Sequence, residues 1–224
     1  MRIVSLHEWQ MDYAAARALQ TDLAGRVCRT GAIEAPRTVA GLDCAFSRDK
    51  QRIVAAVVVQ SLPDLRVIGT AKAVLPVTFP YIPGLLSFRE APVCLAAIEK
   101  LDLEPDVFLV DGQGIAHPRR LGLAAHLGLF LDRPTIGCAK SRLIGTYRKP
   151  GREKGLHTWL YDGDEVIGAV LRTRTDVRCL FVSIGHRCDL PTAIRTVLQC
   201  TTRYRLPEPT RLAHQAVTHW RKEM

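Results

Sequence analysis

The chain has 224 residues, a formal net charge of +9, 47% hydrophobic and 24% charged residues. That length buries one sizeable core, so one domain spanning 1–224 is expected, and the sequence shows no internal repeat, low-complexity tract or domain linker. No run approaches the ~20 apolar residues of a membrane span, and beyond Arg2 the N-terminus has no apolar stretch of signal-peptide length, so a cytoplasmic monomer with no membrane contact is expected.

Helical spacing of Trp9, Tyr13, Ala16, Leu19, Leu23 and Val27 predicts an amphipathic helix over 7–28, packed on the core as part of an N-terminal segment 1–30. Strand-like runs follow at 38–46, 52–60 and 66–75, with Pro63-Asp64 marking a turn between the second and third. A helix over 87–101, a buried strand Val107–Val110, a helix over 120–131 and a strand at 135–139 give the order of parallel βαβ units. Further strands are predicted at 165–171 and 178–183, then helices at 190–202 and 209–221. The seven cysteines, at 28, 44, 94, 138, 179, 188 and 200, form no close pairs of zinc-site or disulfide-framework spacing and read as reduced and structural.

Charge is uneven. Between Lys140 and Lys154 six basic residues face one acid, Glu153, a net +5 in a loop-like segment. Alone that is a solvated loop; beside a metal site it suits a phosphate backbone. Three acids suggest such a site: Asp43 and Asp111 interrupt strand-like apolar runs, and Glu90 follows Phe88-Arg89. A buried carboxylate needs compensation, and a hard divalent cation supplies it. Each acid has a plainer alternative. Asp43 is one face-mate of Val39, Gly41 and Ala45 and fits a hydrogen-bonded structural aspartate, and Asp111 fits a turn start. Ser87-Phe88-Arg89-Glu90 matches a capping box, although Glu90 shares an apolar stripe with Leu86, Val93, Ala97 and Leu101. Gly112-Gln113-Gly114 is no dinucleotide fingerprint, because the third glycine position is His117.

Three antiparallel strands followed by parallel ones in a mixed sheet flanked by helices, with acids on the first and fourth strands, form a ribonuclease H-like α/β arrangement. Within it, Pro80-Tyr81-Ile82-Pro83-Gly84-Leu85-Leu86-Ser87-Phe88-Arg89-Glu90, Asp111-Gly112-Gln113-Gly114 with His117-Pro118-Arg119, and Pro134-Thr135-Ile136-Gly137-Cys138-Ala139-Lys140 resemble the endonuclease V family. Gly185-His186-Arg187 and Tyr204 to Arg211 fit it too, and the similarity runs from about 40 to 215.

The resemblance implies an endonuclease that recognises inosine and hydrolyses the second phosphodiester on its 3′ side. It implies Mg²⁺, with Mn²⁺ as a substitute, held by Asp43, Glu90 and Asp111. It further implies Lys140 and His214 as active-site residues and Tyr81 as the tip of a strand-separating wedge. The hypoxanthine pocket falls to backbone around Gly84, Leu86 and Gly112, with Pro80, Ile82, Pro83 and His117 as further substrate contacts. Two prolines stiffen the Tyr81 loop, and extruding a base leaves a gap that a wedge fills. Deamination gives the base a carbonyl at O6 and a donor at N1, so backbone N–H and C=O groups together would accept it. The expected partner is inosine-containing DNA, with RNA left open. Rival readings are a ribonuclease H-like nuclease that selects structure, such as a junction resolvase, and an inosine-binding module that does not cut.

Overall fold

The computed structural model describes residues 3–223; Met1, Arg2 and Met224, the ends of the expected single domain, lie outside them. One eight-stranded mixed sheet runs in the order β3-β2-β1-β4-β5-β8-β7-β6. Strands β1 (Thr38–Phe46), β2 (Arg52–Ser61) and β3 (Val67–Pro76) form an antiparallel meander. Strand β4 (Val107–Val110) then pairs parallel to β1, and β5 (Thr135–Ala139) parallel to β4. This is the expected ribonuclease H-like core. Beyond β5 the ladder turns antiparallel again through β8 (Leu180–His186), β7 (Glu165–Leu171) and β6 (His157–Asp162).

Strand β2 shows why the sheet is central. Its residues from Ile53 to Gln60 are all buried, because helices cover both faces. Ile53, Ala55, Val57 and Val59 pack with α2 (Leu86–Ile98), whereas Val54, Ala56 and Val58 meet Ala213 and Val217 of α5 (Glu208–Trp220). Helix α3 (Leu123–Leu131), whose residues are all buried, lies beside α2, and α4 (Leu190–Gln199) packs against β7 and β8.

The N-terminal helix is shorter than expected. Helix α1 covers Tyr13–Ala24, started by Asp12, whose side chain accepts from the Ala15 N–H at 2.8 Å, and stopped at Gly25. Residues before Asp12 form an extended arm instead: Val4 N–H donates to the Phe130 carbonyl, and Trp9 stacks on Phe130 at 5.1 Å. Their apolar spacing is spent on the α2/α3 groove rather than on a helix face. Helix α3 begins at Leu123, not 120, because Arg120 is left-handed (φ 56°). Strand β6 was not expected.

Candidate active site

Parallel pairing of β1 with β4 matches Leu42 to Val110, so Asp43 and Asp111 emerge side by side, and Asp111 N–H donates to the Leu42 carbonyl at 3.0 Å. Lys140 follows the end of β5 at the same edge. Carboxyl ends of adjacent strands are where open α/β sheets place ligands. Helix α5 reaches this edge because Gly41 carries no side chain: a Cβ there would lie 2.0 Å from the Pro209 backbone. That close approach brings His214 over Asp43, with Nδ1 2.6 Å from Oδ2.

The result is a tight polar cluster. One ligand atom each from Asp43, Asp111 and His214 lies within 4.8 Å of the others. Lys140 Nζ donates to Asp111 Oδ2 and sits 3.4 Å from His214 Nδ1. Burial, reinforced by the charge of Asp111, raises the Asp43 carboxyl to about 6. Glu90 enters from α2 on the opposite face of the sheet, outside that set of three. Burial and then the charge of Asp43 push it to about 8, while a hydrogen bond with Cys44 opposes the shift. Acids held against ionisation this way are what a divalent cation relieves.

The capping-box alternative for Glu90 fails. The residue at the start of α2 is Leu85, with no side-chain cap, and Ser87 already lies inside the helix with its hydroxyl 3.0 Å from His126 Nδ1. Glu90 itself is only 9% exposed, where a cap faces water.

A cavity of about 190 Å³ adjoins the acids. Tyr81, Ile82, Pro83, Gly84 and Leu86 form one side and Gly112, His117 and Leu123 the other, while Glu90 and Asp111 border it as well. Tyr81 is 69% exposed at the loop tip, and Pro80 beside it is exposed. Gly84 takes φ +81°, and a Cβ there would lie 2.7 Å from Arg119 Nη2. Its carbonyl accepts from Gln20 Nε2 at 2.9 Å and Arg119 Nη2 at 2.8 Å. His117 Nδ1 accepts from the Arg119 N–H at 3.1 Å, and burial lowers its ring to about 4, so it is neutral.

This combination of paired acids, lysine, histidine and adjoining pocket coincides with a family match: the model described as Endonuclease V covers residues 21–215. The chain belongs to the endonuclease V family. Endonuclease V of Alkalilimnicola ehrlichii is 55% identical over 94% of this chain and 93% of its own. The endonuclease V structure from Streptomyces avermitilis superposes with a TM-score of 0.93 at 41% identity, covering 100% of this chain and 99% of that one. Endonuclease V from Ciona intestinalis, solved in complex with a 24mer DNA containing an inosine followed by a ribo-adenosine, matches with a TM-score of 0.83 at 28% identity, covering 94% and 98%.

In this chain the residues singled out from sequence converge on two adjoining sites. The basic segment divides. Arg142 donates to the Gly145 carbonyl, Arg152 pairs with Asp176, and Lys154 donates to the Thr201 carbonyl, whereas Arg148 and Lys149 are exposed. Lys149 and Tyr147 line a groove running on from Lys140, and Tyr147 and Arg148 continue it to Trp159 and Tyr161 on β6. Gln20, Ser87 and Arg119 escaped sequence reasoning as site residues. A polar side chain between Ala16 and Leu23 on the buried face of α1 was the available signal for Gln20.

Proposed function

We propose that this chain is a metal-dependent endonuclease that draws inosine out of a strand into the Gly84–Gly112 pocket. It then hydrolyses the second phosphodiester on the 3′ side, leaving 3′-hydroxyl and 5′-phosphate ends. The observation carrying this reading is that Glu90 and Asp111 border both the pocket and the acid cluster, so a base held in one positions its own strand over the other.

The donor set fits a hard divalent ion: Asp43 and Asp111 supply oxygens, His214 one nitrogen, and Glu90 stands at the margin with its ionisation suppressed by burial. Bound Mg²⁺, or Mn²⁺ in its place, supplies an activated water and charge stabilisation at phosphorus. His214 orients the Asp43 carboxylate through its 2.6 Å contact. Lys140, tethered to Asp111, offers a cation to phosphoryl oxygens as charge develops. Tyr81 fills the space left by the extruded base, and Arg148 and Lys149 take phosphates along the groove. First-turn N–H groups of α2, at Leu86 and Ser87, have no intrahelical partner and suit the O6 carbonyl of hypoxanthine.

Matched DNA and RNA oligonucleotides, each with one central inosine or adenosine, test the reading with Mg²⁺ present. Cleavage confined to inosine strands supports it, and equal cleavage of adenosine strands refutes it.

A further inference from the structure

Hypoxanthine differs from adenine at N1, where it carries a hydrogen and adenine carries a lone pair. The pocket therefore needs an acceptor. The Gly84 carbonyl already accepts from Gln20 and Arg119, which uses both its lone pairs. Ser87 also lines the pocket, and its hydroxyl ends a chain of hydrogen bonds.

That chain starts at a group that can only accept. His7 Nδ1 lies 2.8 Å from the Glu8 carbonyl, so Nδ1 carries the hydrogen. His126 is enclosed by Trp9, Phe88 and Phe130, with ring centroids at 5.4, 5.0 and 5.6 Å, and burial holds it at about 3. Burial lowers His7 as well. Both rings are neutral, each with one N–H. His7 Nε2 is then a bare lone pair, and the 2.9 Å contact with His126 Nε2 requires that His126 donate. His126 Nδ1 is left bare, so at 3.0 Å the Ser87 hydroxyl donates to it. With its one hydrogen committed inward, Ser87 Oγ can only accept from anything in the pocket.

We propose that Ser87 Oγ is the acceptor for N1–H of the extruded base, with His126 and His7 as positioning residues that fix the direction of its hydroxyl. Adenine would set its N1 lone pair against the Ser87 lone pairs, and the chain cannot reverse because the Glu8 carbonyl cannot donate. The inference rests on the inosine-directed reading above and adds the residue that separates the two bases.

Purine nucleoside, whose N1 is bare like that of adenine, is the diagnostic probe. Binding of inosine strands and purine-nucleoside strands is compared with Ca²⁺ in place of Mg²⁺. Ser87→Ala should weaken inosine binding about 10- to 100-fold, the cost of stranding a buried donor, and leave the purine-nucleoside strand within twofold. Equal weakening on both strands, or none on inosine, overturns the proposal. His7→Phe keeps a ring against Trp9 and Phe130 but removes the acceptor, so His126 is free to take its other tautomer. The inosine preference should then fall several-fold, and an unchanged preference overturns the positioning role. Imidazole ¹⁵N spectra give a readout independent of substrate: His126 should be protonated at Nε2 and His7 at Nδ1, and a His126 Nδ1–H tautomer contradicts the chain. If the wild-type protein leaves inosine strands uncut, the proposed function fails while the spectra still decide the tautomers.

Discussion

Glu90 sits where its ionisation is costly, and replacing it with Gln should separate stability from activity. Burial and the charge of Asp43 raise it from 4.5 to about 8 in the folded chain. A carboxyl raised on folding holds its proton more tightly in the native state. Its contribution is complete below the unfolded value and is lost as pH rises through about 8. At pH 7 the unfolded chain has gained two and a half decades of ionisation that the native state forgoes, about 3 kcal/mol at ~1.4 kcal/mol per decade. In chelator at pH 7 to 8, Glu90→Gln should therefore be more stable than the parent by up to about 3 kcal/mol, and the two should converge near pH 4. Excess Mg²⁺ should erase the gain, because the cation compensates the charge that glutamine lacks. Urea unfolding across pH, with and without Mg²⁺, measures both effects. A variant that is less stable than the parent in chelator at pH 8 would refute the electrostatic reasoning and make Glu90 a packing residue.

Asp43→Ala and Asp111→Ala should abolish cleavage while inosine-strand binding, read by gel shift, stays largely intact; loss of binding to the same extent would contradict the metal assignment. Tyr81→Ala should lose about 1–3 kcal/mol of stacking, more on duplex than on single-stranded inosine substrate, with Tyr81→Phe mild; equal activity on duplex would reduce the loop to a rigid turn. Replacing Arg148 or Lys149 should lower the slope of log affinity against log salt by about one each. Arg152→Ala and Lys154→Ala should leave it unchanged, since Asp176 and the Thr201 carbonyl already occupy those side chains.

The sheet was legible where burial dictates composition. Strands β2 and β4 are buried on both faces and read as continuous apolar runs, and the acids stand out against such runs, Asp43 within β1 and Asp111 directly after β4. Strand β6 was not legible, because His157, Trp159 and Tyr161 are exposed on an edge and only Leu160 is buried. The arm before Asp12 misled for a related reason: Trp9 is apolar because it packs on Phe130 and Phe88, and its helical spacing to Tyr13 is incidental. Ser87 carried a cap signature that tertiary packing overrode, its hydroxyl being claimed by a histidine 39 residues away. Gly41 gave no sign that its missing side chain admits Pro209 and so sets His214 over Asp43; only the folded chain reveals that contact.

The most direct test maps the products from a duplex DNA carrying one central inosine, incubated with Mg²⁺ and in parallel with excess chelator. One nick is expected in the inosine strand at the second phosphodiester on the 3′ side, closed by ligase without end repair, and none in chelator. Cleavage that persists in chelator, or a cut whose position ignores the inosine, would contradict it.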